Sequence, residues 1–146
     1  MAAGIGLGQK LSTALGLLPG LAVFERDTAR EQQALASLAC WAGRFTPTVS
    51  LAPPNELLLE IGGCLRLFGG SEAIAAAVVA GCAEQAYVPA WAIAPTPLAA
   101  RWLARQGGGL SCADQPSLHA ALAALPCAVT GWPAEVHSRL ESFGLR

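Results

Sequence analysis

A short apolar strand between a pair of prolines and a pair of glycines most constrains the fold of this chain. Pro53 and Pro54 precede Asn55, and residues 56–62 then form a strand pattern with an acid at its start and another near its end. A second strand pattern over residues 48–51 lies just before the prolines, so we expect a hairpin with a rigid loop. A pair of acids at the start of a short strand can hold Mg²⁺ in phosphoryl-transfer enzymes. Here the first position of such a pair is the neutral amide Asn55 and the second is Glu56, so these two are the first candidate site residues.

The composition is that of a small globular domain with a substantial core. Of 146 residues, 53% are apolar and 13% are charged, and the formal net charge is −1. This balance argues against strong autonomous binding of nucleic acid, which usually needs a basic face. Four arginines could form a local patch, but scattered solvated side chains are the favoured interpretation for each of Arg44, Arg66, Arg101 and Arg105.

Five cysteines without a CxxC pair give no sign of a zinc site or a disulfide framework, so we expect a reducing, cytoplasmic location. Cys40 and Cys82 lie in helix-like apolar patterns and are expected to be buried as small hydrophobic side chains. The apolar run over residues 73–83 is much shorter than the ~20 residues that a bilayer requires, so no membrane association is expected.

The rest of the pattern alternates helices with short strands. Helices are predicted over residues 10–18, 28–43, 72–86, 97–105, 114–124 and 134–142, and further strands over residues 21–24 and 88–94. The order indicates an α+β fold of the split βαβ (ferredoxin-like) type, an antiparallel or mixed sheet with helices on one face, followed by a small helical segment. Because the last helix stops at Gly144, close to the end of the sequence, we expect a fragment of a longer protein.

Several segments carry a family resemblance: Gly4-Ile5-x-x-Gly8, Arg26-Asp27, Trp41-Ala42-x-Arg44-Phe45-Thr46-Pro47, Asn55 to Gly62, Ala92 to Ala100, and Leu125-Pro126 with Gly131 and Phe143-Gly144-Leu145. In this order they resemble the Y-family (DinB/UmuC-type) translesion DNA polymerases. The segment Leu65-x-Leu67-Phe68-Gly69-Gly70 is similar to the ImuB branch, the polymerase-like proteins of bacterial mutasomes. The resemblance implies the end of the fingers over residues 1–24, a palm over 25–112 and the start of a helix-hairpin-helix thumb over 113–146.

Departures from the family pattern affect the chemistry that the resemblance implies. The family's carboxylate pair falls on Asn55 and Glu56, and an asparagine supplies no negative charge to a cation. The family's phosphate-contacting lysine falls on Pro97, which carries no charge. Pro133 replaces a thumb glycine and has no N–H for a phosphate, so Gly131 remains only a weak DNA-binding candidate. Together these changes predict that catalysis has lapsed and that no cofactor is needed, with Mg²⁺ expected only in an active enzyme.

Two side chains keep alternative interpretations. Glu56 is either a residual metal ligand or, the favoured interpretation, a solvated acid at a strand start, because lone carboxylates bind Mg²⁺ poorly. Trp132, between a glycine and a proline, either marks a docking surface or, the favoured interpretation, packs against the last helix.

The resemblance implies a non-catalytic scaffold in a damage-induced (SOS) mutasome. Its implied partners are an error-prone replicative-type DNA polymerase, a sliding clamp and a RecA-like accessory protein, with weak binding of primer-template DNA. Two alternatives stay open: an active translesion polymerase, and an unrelated α+β protein-binding module.

Overall fold

The structure, a computed structural model, describes residues 4–6 and 8–144, so the resemblance at Leu145 lies outside the described residues. The chain divides into two compact units, residues 1–30 and 31–146. The first unit contains helix α1 (Leu11–Leu17), as predicted. The strand predicted over residues 21–24 is wrong: the N–H of Leu21 instead donates to the carbonyl of Leu18 at 3.0 Å. A strand needs a pairing partner, and none of the residues described pairs with this segment.

Helix α2 (Thr28–Ala42) and the predicted hairpin are both present. Asp27 Oδ1 accepts a hydrogen bond from the N–H of Arg30 at 3.0 Å and so caps the first turn of α2. Strand β1 (Val49–Ala52) pairs antiparallel with β2 (Glu56–Leu59), and Ala52 stands opposite Glu56. The hairpin turn therefore comprises residues 53–55.

Strand β2 ends at Leu59, three residues earlier than predicted, because the next residues form a turn. The carboxylate of Glu60 accepts the N–H of Gly62 at 2.8 Å, and a 3₁₀ turn (Gly62–Cys64) leads into the short helix α3 (Leu65–Phe68). Gly69 and Gly70 then take φ values of 82° and 118°, which favour glycine. This break separates α3 from helix α4 (Ser71–Glu84).

The core of this part of the second unit lies between α2 and α4. The Trp41 ring packs so closely on Gly81 that a Cβ added there would lie 2.2 Å from a ring atom. Trp41 also meets Phe45 edge-on, with ring centroids 5.3 Å apart. The buried residues of this region are Leu35, Ala42, Phe45, Thr46, Ile74, Ala75 and Cys82.

The remaining residues form a parallel strand–helix–strand unit followed by two helices. Strand β3 (Ala92–Ile93) is joined through helix α5 (Pro97–Gln106) to β4 (Leu110–Ser111), which pairs with it in parallel. Helices α6 (Gln115–Ala123) and α7 (Ala134–Ser142) follow, with a 3₁₀ turn (Cys127–Thr130) between them. A second core cluster is centred on Ala99, Leu103, Cys112 and Leu118.

The α+β class is confirmed, with two further differences in the strands. The predicted strand 88–94 shortens to residues 92–93, since only these two have a partner and Val88 is 99% exposed. The strands of the described residues form two separate two-stranded sheets, one antiparallel and one parallel, rather than one hydrogen-bonded sheet.

The five cysteines are all free thiols. Cys82 is buried as expected, but the expectation for Cys40 is wrong because its side chain is exposed. The buried residues of α2 are Leu35 and Ala42, seven residues apart, and Cys40 lies off that stripe.

Within residues 4–6 and 8–144, no single helix is long and apolar enough to cross a bilayer. The segments 62–68 and 71–84 meet the criteria of length and composition only as a pair, and that pair is bent by 83°.

Candidate functional site

Glu56, at the start of β2, lies against two arginines from α5. Its Oε2 accepts from Arg101 Nε at 2.8 Å and from Arg105 Nη2 at 3.2 Å, and its Oε1 accepts from Arg105 Nε at 2.5 Å. The two arginines are four residues apart, so they project from the same face of the helix. We call Glu56, Arg101 and Arg105 the arginine–glutamate cluster.

The local sequence of α5 positions these arginines. Thr96 Oγ1 accepts the N–H of Ala99 at 3.3 Å, and Pro97 occupies the first turn, where its fixed φ favours a helix start. Ala99 and Leu103 anchor the opposite face of the helix in the core. Pro97 itself is exposed, and its visible role here is to begin the helix that carries the cluster.

Arg105 also reaches the turn that precedes α7. Its Nη1 donates to the carbonyl oxygen of Val129 at 2.8 Å. Gly131 follows this turn with a φ of +70°, and a Cβ added there would lie 2.7 Å from Arg105 Nη1. Gly131 is therefore required both by its backbone conformation and by the close approach of the guanidinium.

The cluster is partly shielded from water, with side-chain exposures of 20% for Glu56, 30% for Arg101 and 29% for Arg105. Partial burial acts to raise the pKa of Glu56, but the hydrogen bonds and charges of Arg105 and Arg101 together outweigh it and lower the pKa. The hydrogen bond to Glu56 correspondingly raises the pKa of Arg105. Glu56 is therefore an ionised carboxylate paired with two guanidinium groups, with one positive charge in excess.

This donor set does not fit a Mg²⁺ site. Mg²⁺ takes oxygen ligands, usually carboxylates and water, in a near-octahedral arrangement. Both oxygens of Glu56 already accept guanidinium hydrogen bonds, and Asn55 lies exposed in the hairpin turn. In the part of the chain that the structure describes, no three His, Cys, Asp or Glu residues converge in a way that could hold a metal ion.

An apolar groove lies beyond the backbone that Arg105 contacts. It encloses about 170 Å³ and is lined by Trp102, Leu122, Leu125, Pro126, Cys127, Val129, Thr130 and Trp132. Trp132 is 45% exposed and meets Trp102 edge-on, with ring centroids 6.3 Å apart. It also contacts His137 of α7 at 6.4 Å between ring centroids, so Trp132 both packs on the last helix and keeps an open face.

The structure brings together some of the residues predicted from sequence. Glu56 and Gly131 both lie against Arg105, whereas Asn55 stays in the adjacent turn and Pro97 begins α5. Sequence reasoning missed Arg101 and Arg105 as site residues. Their i, i+4 spacing indicates that both lie on one face of the helix, but it does not identify the acid from another segment that packs against this face.

The site thus combines a hairpin that presents Asn55 and Glu56 at its turn with a helix-linked pair of parallel strands, in an α+β chain of the Y-family, UmuC-type class. The family model described as impB/mucB/samB matches residues 1–105, and the chain belongs to this family.

Two curated relatives, both called Protein ImuB and both from Caulobacter vibrioides (strains NA1000 / CB15N and ATCC 19089 / CIP 103742 / CB 15), are 36% identical to the chain over 138 residues. The match covers 94% of this chain but only 30% of each relative, so the chain spans less than a third of their length. No solved structure gives a significant match.

Proposed function

We propose that this chain is part of a catalytically degenerate Y-family-like subunit that acts as a scaffold in damage-induced translesion DNA synthesis. The observation that carries this proposal is the pairing of Glu56 with Arg101 and Arg105 at the position where the family has a metal-binding acid. A scaffold of this kind needs the polymerase-like shape, but it needs neither Mg²⁺ nor a nucleotide.

Electrostatics supports the loss of catalysis. Two-metal phosphoryl transfer requires carboxylates that converge on two cations about 3.5–4 Å apart. A cation approaching Glu56 would meet two guanidinium groups already bound to both of its carboxylate oxygens. Asn55 adds no negative charge to offset this repulsion. The arginine pair is therefore a more favourable partner for the Glu56 carboxylate than a metal ion.

Weak contact with primer-template DNA is part of the proposal. The net charge of −1 and the proline at position 97 leave little positive charge for phosphates, and the Arg105 guanidinium already lies against Gly131. The error-prone replicative-type DNA polymerase, the sliding clamp and the RecA-like accessory protein remain the proposed partners, with action in the cytoplasm after SOS induction. Membership of the impB/mucB/samB family and the similarity to Protein ImuB support this assignment.

A primer-extension assay with the intact gene product, across a Mg²⁺ titration, tests the proposal. We expect no incorporation above background for the wild type, and the same result for Glu56→Ala and for the exposed-acid control Glu84→Ala. Metal-dependent incorporation by the wild type that disappears in Glu56→Ala and persists in Glu84→Ala would overturn the proposal, because it would make Glu56 a metal ligand.

A further inference from the structure

We propose that β2 and β3 are the two neighbours of one further strand, supplied by a segment of the intact gene product that lies outside residues 1–146. This strand would join the two separate sheets into a single sheet beneath α5. The inference rests on backbone hydrogen bonding, so it does not depend on whether the protein has polymerase activity.

Helix α5 packs on one strand of each sheet, on β2 in the first and on β3 in the second. Each of these strands has a single partner among the described residues, β1 for β2 and β4 for β3. All residues of β2 and β3 are half-buried, whereas β1 and β4 each include exposed residues. The unpaired edges of β2 and β3 therefore face each other under one helix.

The register of the hairpin shows which backbone groups of β2 lie on its unpaired edge. The N–H of Glu60 donates to the carbonyl of Thr48 at 3.0 Å, and antiparallel pairs alternate between bonded and non-bonded positions. The N–H and C=O groups of Leu58 therefore face β1. Those of Leu57 and Leu59 point away from β1, to the unpaired edge.

Ala92 holds the corresponding position on β3. The carbonyl of Ile93 accepts the N–H of Cys112 at 2.8 Å, and the carbonyl of Trp91 accepts the N–H of Leu110 at 3.3 Å. Alternate residues of a parallel strand face opposite neighbours, so the N–H and C=O groups of Ala92 point away from β4.

These backbone groups need a partner because they are shielded from water. Leu57, Leu59 and Ala92 are half-buried, and no described residue forms a hydrogen bond with their outward groups. A shielded N–H or C=O without a partner costs free energy comparable to a lost hydrogen bond. An extended strand satisfies two facing edges at once, since its own N–H and C=O groups alternate between its two sides.

The position of the strand indicates its composition and its source. A strand with a neighbour on each side and a helix over one face is typically short, rich in Val, Ile and Leu, and free of proline. We assign it to the same gene product because this chain matches only 30% of the length of each curated relative. A tethered strand also binds at a high effective concentration, which favours it over a separate protein.

Backbone hydrogen exchange in the intact gene product tests the proposal. If β2 and β3 remain edge strands, the outward amides of Leu57, Leu59 and Ala92 should exchange at least about 100-fold faster than the inward amides of Leu58 and Ile93. We expect instead that the two sets are protected to within about tenfold of each other, in a monomeric sample and independently of protein concentration.

Proline substitution tests the same edge by removing one N–H. Proline is tolerated where the N–H of an edge strand faces solvent, but not in a strand paired on both sides. We expect Leu57→Pro to abolish the cooperative thermal unfolding transition of the intact gene product, whereas Leu57→Ala, which loses the side chain but keeps the N–H, retains it. Leu51→Pro is the matched control, because Leu51 stands opposite Leu57 and its N–H points to the outer edge of β1, so the transition should persist.

Rapid exchange at Leu57, Leu59 and Ala92 in the intact gene product would overturn the proposal, as would a Leu57→Pro variant as stable as Leu57→Ala. Protection that rises with protein concentration would identify a second copy of the chain as the donor of the strand. Protection that appears only when another protein is added would identify a separate partner. Either of these results would also overturn the assignment to the same gene product.

Discussion

Glu56 and Arg105 lie 49 residues apart in the chain and share two hydrogen bonds, at 2.5 and 3.2 Å. This pair joins the hairpin to α5, and a hydrogen bond from Arg105 Nη1 joins the same helix to the carbonyl of Val129. The arginine–glutamate cluster thus connects three segments that are distant in sequence. This arrangement leads to predictions about stability that are independent of any activity.

Replacing Glu56 by glutamine should lower the free energy of unfolding by about 1–2 kcal/mol, because it leaves two partly shielded guanidinium groups without their counter-charge. The effect is smaller than for a fully buried pair, since these side chains remain 20–30% exposed. Urea unfolding of the wild type and of Glu56→Gln measures the difference. The control is Glu84→Gln, an exposed acid at the end of α4, which should change stability by less than about 0.5 kcal/mol. Equal stability of wild type and Glu56→Gln would show that the cluster contributes nothing measurable.

The same carboxylate predicts a pH dependence. The folded-state pKa of Glu56 lies below its unfolded value, so its contribution is fully present above the unfolded pKa and is lost as the pH falls through the folded one. The free energy of unfolding, measured from neutral pH down into the acid range, should fall more steeply for the wild type than for Glu56→Gln. The comparison is needed because Asp114, whose pKa is lowered by hydrogen bonds from Ser117, contributes a decrease of the same sign in both proteins. Parallel curves would contradict the prediction.

Replacing Gly131 by alanine should destabilise the protein for two separable reasons. The φ of +70° is unfavourable for alanine, and the new Cβ would lie 2.7 Å from Arg105 Nη1. Gly69→Ala is the matched control, since Gly69 also has a positive φ, of 82°, but has no atom within 4 Å of the added Cβ. We expect each change to lower the free energy of unfolding by at least about 1 kcal/mol because of the backbone conformation. Only Gly131→Ala should lose further stability, because its Cβ meets the Arg105 side chain.

The further loss in Gly131→Ala should shrink in an Arg105→Ala background, where the side chain that the Cβ would meet is absent. A double-mutant cycle measures this coupling between the two positions. If the effects of the two substitutions simply add, Arg105 does not make the close approach.

Replacing Gly81 by alanine should destabilise the protein even though the position is helical. In an open helix position this change normally stabilises by about 1 kcal/mol, but here the Cβ would lie 2.2 Å from the Trp41 ring. Near-ultraviolet circular dichroism should report a changed Trp41 environment alongside the lower stability. Gly16→Ala, in α1 with open space around the Cβ, is the comparison and should be neutral or stabilising. A stabilising effect of Gly81→Ala would mean that the Trp41 ring can move aside.

Local patterns were sufficient to predict the hairpin and six of the seven α-helices of the described residues, while the four-residue α3 was not predicted. Asp27 before α2, Pro97 in the first turn of α5 and the prolines before β2 are start and turn signals that act within a few residues. The strand expected at residues 21–24 has the right composition, but pairing is a tertiary event that composition does not encode. Strand β4 was not predicted for the converse reason: it has two residues, and only its partner β3 makes it a strand.

The candidate site was predictable only in part. The sequence marks Glu56 through the family strand and Arg101 with Arg105 through their spacing along one helix face. The contact between them joins residues separated by 45 and 49 positions, which depends on how the hairpin packs on α5. For the same reason, the interpretation favoured from sequence was a solvated Glu56, whereas the structure shows Glu56 paired with Arg101 and Arg105.

Arg105 binds a carboxylate and a backbone carbonyl at once, with three nitrogen atoms in one plane. Lysine carries a single nitrogen on a flexible stem and could serve the hairpin or the turn, but not both with the same geometry. The side chain at this position is therefore fixed by its shape as well as by its charge, and a substitution that keeps the charge would still separate the two segments it joins.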